Sequence, residues 1–203
     1  MSQNFNILLD PLPEEWKGKP IDSDFQIGIQ IIWVMEDKKL SGMERWQQAG
    51  RLLFPEEMPE TLEEVAEAVN WFMHGWQTDH YTGRSDGAKT LDFQMDQWRI
   101  WTAFLQQYRI NLNTDKVHFW EFMGLLNNLN ECTLNTVEEI RAKKLTGSMS
   151  KEERKYYTDA KKVYAIKDEK PKEYTEEEQE AIDEFDRMRE KMRGKKVSED
   201  AGL

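Results

Sequence analysis

Residues 91–129 constrain the fold most strongly, because this stretch holds three of the chain's eight tryptophans within two consecutive helical patterns. Its first half carries apolar side chains at the three- and four-residue spacing of one helix face, namely Leu91, Met95, Trp98, Leu105 and Tyr108. A second apolar stripe points in another direction and consists of Phe93, Ile100 and Phe104. A helix that is apolar on two sides packs between neighbouring elements. The stretch is therefore predicted to be the scaffold of a helical domain rather than a contact surface.

A polar cluster at Asn111, Asn113 and Thr114 interrupts this pattern before a second helix resumes it. The apolar side chains on one side of that helix are Phe119, Phe122, Leu126 and Leu129. Gly124 lies inside the helix, where glycine costs roughly 1 kcal/mol relative to alanine. We expect that Gly124 lets a neighbouring helix come close.

Charge and cysteine content limit the classes of function. The 203 residues include 28 basic and 39 acidic side chains, for a net charge of −11, which disfavours general binding to nucleic acid or to an anionic membrane. A single cysteine, Cys132, permits no intramolecular disulfide. No stretch approaches the roughly 20 apolar residues of a membrane span, and the N-terminus lacks a signal-peptide pattern. We expect the protein to act in a reducing cytoplasm.

Composition also predicts how the chain is divided. All eight tryptophans lie between Trp16 and Trp120, whereas residues 151–203 are rich in charges of both signs. This shift predicts an N-terminal hairpin or arm at residues 1–22, a helical core at 23–167 and a charged, partly helical C-terminal tail at 168–203. The predicted fold class is mainly α, with a compact domain of about six to seven helices.

Local signals predict where individual elements begin. Residues 5–21 combine three prolines with a Lys-Gly pair, which predicts a small β-hairpin or extended arm. Residues 25–35 predict a nearly uncharged helix, and residues 77–90 predict a surface loop. Helix-capping residues are predicted at Ser41, Thr61, Asn135, Ser150 and, in the tail, Thr175.

Two surfaces are candidates for contact with a partner protein. The helix at residues 25–35 is apolar on all sides, and Ile27, Ile31 and Val34 form one of its stripes. Trp71 lies roughly opposite the apolar stripe of its own helix, at about 100° per residue. Either a second layer of the fold covers this side chain or an outside partner does. Trp76, on the same helix, completes the set of candidate protein-binding residues.

The chain shows no sequence motif of catalysis or cofactor binding. Its three histidines, His74, His80 and His118, lack the spacing of a metal site, and the Walker, GxGxxG and GxSxG patterns do not occur. We therefore expect no enzymatic activity, no cofactor and no metal. The tryptophan and methionine content instead favours a protein that holds other apolar surfaces.

Several segments together resemble the bacteriophage gene product fifteen family: DFQIGIQI, VAEAVNWFMHG, DFQMDQWRIWTAFLQQYRINL, HFWEFMGLLNNL, EEIRAKK and KVYAI. The resemblance covers about residues 5–167 in one order. It implies a gene in the tail cluster of long-tailed phages, next to the gene for the tape-measure protein. It supplies no catalytic residues.

That gene position is similar to the position of tail assembly chaperones, which keep the hydrophobic tape-measure protein soluble until the tail-tube protein polymerises around it. The resemblance thus implies a chaperone in the cytoplasm of the infected bacterium. The partner that this implies is the tape-measure protein, and the further candidates are other copies of the chain itself and the tail-tube protein. Two alternatives stay open at this point. One is a structural tail or connector component of the virion, and the other is a small acidic inhibitor of a host enzyme.

Overall fold

A computed structural model describes residues 5–77 and 89–166 of the chain. Within these residues the elements are β1 (Glu15–Trp16), β2 (Lys19–Pro20), α1 (Phe25–Glu36), α2 (Gly42–Leu53), α3 (Leu62–His74), α4 (Gln97–Gln107), α5 (Phe119–Asn127), α6 (Thr133–Ala142) and α7 (Lys151–Tyr164). The predicted mainly α fold, with its small N-terminal hairpin, is confirmed.

The chain divides into two units, Met1–Ile166 and Lys167–Leu203, and all described residues belong to the first. The predicted charged tail at 168–203, with its cap at Thr175, lies outside the described residues, as do residues 78–88 of the predicted surface loop. The predicted boundaries between residues 22 and 23 and between residues 167 and 168 stay predictions.

The N-terminal hairpin turns through Lys17 and Gly18, whose φ angles are 49° and 80°. Two consecutive positive φ values are typical of the type I′ turn that joins paired strands. The hairpin packs onto the helices, because Trp16 is buried with its ring 6.2 Å from the ring of Phe54.

Local capping chemistry sets the helix starts. The hydroxyls of Ser41 and Ser150 each accept a hydrogen bond from the backbone N–H of the glutamate three residues later. The carboxylate of that glutamate accepts a hydrogen bond from the backbone N–H of the serine. Thr61 accepts from Glu64 in the same way. These three predicted caps are confirmed, since each depends only on residues close in sequence.

The core forms where α1, α4 and α5 meet. The ring of Phe122 on α5 stacks on Phe25 at 4.8 Å and on Phe104 at 5.1 Å. The helices α1, α2 and α3 pack consecutively, and α6 joins α4 to α7. This arrangement leaves one side of the α1–α4 junction open.

The first residues of α1 and α5 lie side by side. Asp24 and His118, the two N-cap residues, form an isolated antiparallel bridge. The N–H of Phe25 donates to the carbonyl of Val117 at 2.9 Å, and the N–H of Phe119 donates to Ser23 at 2.7 Å. Because of this pairing, the two helices enter the core in a fixed register.

Three sequence predictions about these elements are wrong. The helix expected from Leu91 begins at Gln97, because the Asp92 carboxylate accepts from the N–H groups of Gln94 and Met95 and holds a turn there. Gly124 has open space beside it, whereas Gly28 lies directly against the ring of Phe119.

The third error concerns the start of α6. The helix is capped by Cys132 rather than Asn135, and the Asn135 side chain accepts from the Cys132 N–H at 3.1 Å. Asn135 thus occupies the third helical position, where an amide reaches back to the cap.

Candidate functional site

The five residues predicted from the sequence to bind a partner do not form one open surface. Ile31 has no exposed area, and the proposal that these five residues bind a partner stays a prediction. Its neighbours Ile27 and Val34 on α1 are half-buried against the core. A stripe on a buried helix therefore faces other parts of the same chain.

The two tryptophans predicted as contacts are also half-buried. Trp71 packs edge-on against Trp120, with ring centroids 5.2 Å apart, and the Trp76 indole N–H donates to the carbonyl of Met73 at 3.0 Å. A second layer of the fold thus covers much of Trp71.

A large groove opens instead between α1 and α4, with a volume of about 670 Å³. Its lining residues are Phe25, Gln26, Ile29, Trp33, Phe93, Gln94, Gln97, Trp98, Ile100, Trp101, Leu112, Asn113 and Phe122. They come from α1, α4, α5 and the segments that precede α4 and α5. The groove is therefore a tertiary feature that no single helix carries.

Two exposed tryptophans stand at the groove. Trp33 on α1 is 44% exposed, and Trp98 in the first turn of α4 is 71% exposed. Trp98 meets Trp101 edge-on at 5.8 Å, and the Trp101 indole N–H donates to the side-chain oxygen of Asn111 at 3.1 Å. The hydrogen bond to Asn111 thus holds Trp101 in place, while Trp98 beside it faces solvent.

The groove carries no charge. In a chain in which 33% of residues are charged, none of the thirteen lining residues is acidic or basic. The polar groups are the amides of Gln26, Gln94, Gln97 and Asn113. A few polar groups among apolar and aromatic side chains are typical of a binding site. Amides both donate and accept, so they suit an uncharged polar group beside an apolar face.

An ion pair joins α1 to the segment before α4. Lys89 lies 2.7 Å from Glu36 and 3.2 Å from Asp92. Burial alone lowers the pKa of Lys89, but the hydrogen bonds and charges of Glu36 and Asp92 outweigh it and hold the pKa above its ordinary value. Because Lys89 and Glu36 are nearly half exposed, the pair contributes about 1 kcal/mol at most. It aligns the elements more than it stabilises them.

The start of α4 is fixed by a buried charge. Asp96, with no exposed area, accepts hydrogen bonds from both terminal nitrogens of Arg141. It also accepts from Arg99 at 2.8 Å. In sequence, Trp98 lies between Asp96 and Arg99, so this ion pair holds the first turn of α4, from which the Trp98 ring projects.

Sequence reasoning missed Trp98 because it assigned the side chain to a core stripe of a longer helix. Asp96 before Gln97 was the available signal, since aspartate is favoured immediately before a helix. Trp33 was missed because residues 25–35 are apolar on all sides, so their spacing does not distinguish Trp33 from its neighbours.

The side chain of His118, near the core, has a structural role. His118 accepts from the Trp120 N–H through Nδ1 at 3.0 Å and donates through Nε2 to the carbonyl of Pro13 at 2.9 Å. Burial lowers the pKa of His118 and outweighs the opposing effects of Pro13, Glu121 and Glu14. The imidazole is therefore held neutral as a helix cap.

In residues 5–77 and 89–166, no three His, Cys, Asp or Glu side chains gather as a metal would require. No helix in the same part of the chain is both long and apolar enough to span a membrane. Cys132 is a free, half-buried thiol that hydrogen-bonds to Asn135 at 2.9 Å.

The chain matches the model of a known protein family. A family model described as Bacteriophage Gp15 protein matches residues 8–166, which include every residue of the groove. No curated protein and no solved structure matches the chain significantly.

Proposed function

Because the chain belongs to the Bacteriophage Gp15 protein family, we propose that it is a tail assembly chaperone for the tape-measure protein. Family membership makes it a phage structural or assembly protein. The chaperone role is the more specific proposal. It holds that the protein keeps the tape-measure protein soluble in the host cytoplasm until the tail tube forms.

The observation that supports this role is the uncharged groove between Trp33 and Trp98. A tape-measure protein is a long helical chain with apolar stretches. One recurring mode of recognition places the apolar face of such a helix in a groove, through side chains at positions i, i+3, i+4 and i+7. Tryptophan is enriched among the residues that dominate binding energy at such contacts.

The distribution of charge fits a solubilising role. The net charge of −11 is carried outside the groove. A bound apolar segment would thus be covered on one side by uncharged side chains, while the outer surface of the complex repels other complexes. In this proposal the protein acts by binding alone, without catalysis or cofactor, and without contact to nucleic acid or membrane.

Co-expression with the tape-measure protein tests the proposal. We expect the tape-measure protein to be soluble with the wild-type chain and insoluble with the Trp33→Ala/Trp98→Ala variant. Tyr156→Ala is the matched control, because Tyr156 is an exposed aromatic residue on α7 and outside the groove. Equal solubility with wild-type protein and groove variant would contradict the assignment of the groove.

A second measurement separates a chaperone from a structural component. A chaperone leaves the tail before completion, so mass spectrometry of purified virions should not detect this chain. Its presence there at a fixed ratio to the tail-tube protein would make it a structural component instead.

A further inference from the structure

The helix α7 presents an exposed basic face. None of its fourteen residues is buried. Lys151, Lys155 and Lys162 are exposed and lie within about 40° of one another around the helix. Beside them on the helix, Tyr156 and Val163 are 61% and 71% exposed. We call these five residues the basic face.

The helix is attached to the rest of the fold through its other side. Lys161 donates to the carbonyl of Arg141 at 2.7 Å, and the Lys143 ammonium lies 5.2 Å from the centre of the Tyr157 ring. Tyr157 is roughly 140° around the helix from the three lysines. The basic face therefore points away from α6.

Basic side chains also predominate around this face. Residues 143–162 contain seven lysines and arginines and three acidic residues, in a chain whose net charge is −11. Asp159 lies 3.5 Å from Lys162, and both side chains are more than half exposed, so this pair holds Lys162 only weakly. A local excess of positive charge favours an acidic partner surface.

The same chain carries an acidic face on α3 and the turn before it. Residues 54–74 contain six glutamates and no lysine or arginine. Glu60, Glu63 and Glu67 are exposed, and Leu62 beside them is 37% exposed. We call these four residues the acidic face.

The two faces match in spacing and lie on different parts of the fold. Glu63 and Glu67 are four residues apart, as are Lys151 and Lys155, so each pair spans about 6 Å along its helix. The closely packed helices follow the order α3, α2, α1, α5, α4, α6, α7, and within the described residues no close helix pair joins α3 to α6 or α7. One molecule therefore exposes both faces at once, on separate helices.

We propose that the basic face of one molecule binds the acidic face of a second copy of this chain. The lysines of α7 lie against the glutamates of α3, and the exposed apolar side chains of the two faces meet beside them. Because two different surfaces meet, the contact is head to tail and forms a ring or an open chain. Neither face contributes a residue to the groove between α1 and α4. The contact is therefore independent of the proposed function and leaves the groove free.

The net charge of the chain makes this contact selective. Two molecules of charge −11 repel each other in most orientations. At about 0.1 M salt the Debye length is about 10 Å, so charges close to the contact dominate once two molecules approach. Only the pairing of the basic face with the acidic face brings opposite charges together. Because exposed ion pairs are individually weak, the expected dissociation constant is about 0.1–1 mM.

Charge reversal in the full chain tests the contact. Lys151→Glu/Lys155→Glu reverses the basic face. Glu60→Lys/Glu63→Lys reverses the acidic face and spares Glu67, which pairs with Lys17. In sedimentation velocity at about 0.1 M salt, from about 10 µM to about 1 mM, we expect the wild-type chain to associate and each variant alone to stay monomeric. An equimolar mixture of the two variants should associate again, because each supplies the face that the other has lost.

Lys38→Glu/Lys39→Glu is the matched control for the basic face, because it makes the same change in net charge at two exposed lysines after α1. It should associate as the wild-type chain does, and circular dichroism should show all variants folded. Raising the salt to about 1 M, where the Debye length is about 3 Å, should weaken wild-type association roughly tenfold or more.

Four results would each overturn the inference. They are a monomeric wild-type chain, unchanged association of either face variant, a mixture that stays monomeric, and association that strengthens with salt. Equal loss of association in the control would also overturn it, because net charge rather than the basic face would then be responsible.

Nucleic acid is the other class of ligand that lysines beside an exposed tyrosine hold. The net charge of −11 disfavours it, and we expect no change in the fluorescence anisotropy of a labelled single-stranded oligonucleotide. A monomeric wild-type chain that binds the oligonucleotide, with binding lost in Lys151→Glu/Lys155→Glu, would assign the basic face to nucleic acid and overturn the self-contact.

Solubility of the tape-measure protein separates this inference from the proposed function, because none of the substituted residues lines the groove. Lys151→Glu/Lys155→Glu should solubilise that protein as well as the wild-type chain does. If the wild-type chain associates as expected and solubilises nothing, the self-contact stands and the proposed function fails. If the wild-type chain is monomeric and still solubilises the tape-measure protein, the self-contact fails and the proposed function stands.

Discussion

Arg141 on α6 and Asp96 at the start of α4 form a buried ion pair, with Nη1 2.5 Å from Oδ2 and Nη2 3.1 Å from Oδ1. The guanidinium also donates to the carbonyls of Thr90 and Tyr164, each at 2.7 Å. Among the described residues, every buried side-chain nitrogen or oxygen has a hydrogen-bond partner. Arg141 thus connects α4, α6, α7 and the segment before α4 from one buried position.

Breaking this ion pair should destabilise the domain strongly. Arg141→Met leaves the Asp96 carboxylate buried with only Arg99 as its ionic partner, so we expect the free energy of unfolding to fall by about 3–5 kcal/mol. Urea denaturation followed by circular dichroism measures it. The double variant Asp96→Asn/Arg141→Met should lose less than the sum of the two single variants. Additive losses would show that the two residues act independently.

Stability should fall as the pH drops below about 6.5, the ordinary pKa of an unfolded histidine. Burial lowers the pKa of His118 in the folded state, so in that range the unfolded chain binds more protons. The contribution of His118 to the free energy of unfolding is complete above its pKa in the unfolded chain. It is lost as the pH falls from there toward the lower pKa of His118 in the folded protein. Protonation would also remove the acceptor that Nδ1 presents to the Trp120 N–H.

The variant His118→Asn isolates this effect, because asparagine keeps an oxygen that caps a helix. Urea midpoints of the two proteins should be compared between pH 7.5 and about 5. The difference between them should narrow as the pH falls. A constant difference would mean that His118 does not titrate in this range.

Two glycines should respond in opposite ways to alanine. A methyl group at Gly28 would overlap the buried ring of Phe119, and we expect Gly28→Ala to cost about 1–3 kcal/mol. Gly124 has nothing within 4 Å of an added carbon, so Gly124→Ala should stabilise α5 by up to about 1 kcal/mol. Thermal unfolding of both variants checks this pair. If both variants changed the unfolding temperature equally, the close packing at Gly28 and the open space at Gly124 would be contradicted.

Substitutions on α1 should separate folding from binding. Ile31→Asp places a charge where there is no solvent, and we expect a loss of about 4 kcal/mol or more. Trp33→Ala, at a half-exposed position, should change stability by about 1 kcal/mol or less and still weaken capture of the tape-measure protein. Measuring urea stability beside co-purification tests both statements. A stable, fully folded Ile31→Asp would show that the side chain is not enclosed.

Much of the local structure could be predicted because it depends on neighbours in sequence. The caps at Ser41 and Ser150 use a glutamate three residues away, and the hairpin turn uses Lys17 and Gly18. The mainly α fold follows from the helical spacing of apolar residues in the same way. Such features do not depend on contacts with residues that are distant in sequence.

Which apolar residues face solvent was decided only by the tertiary structure. Ile31 and Trp33 are two residues apart on one helix, yet the first is enclosed and the second lines the groove. Trp98 projects from the first turn of α4, which the buried ion pair between Asp96 and Arg141, far apart in sequence, holds against α6. The sequence alone determined the mainly helical fold, the caps that depend on neighbouring residues, the hairpin and the family. The groove and its exposed tryptophans exist only because long-range packing and one buried ion pair set the helices against each other.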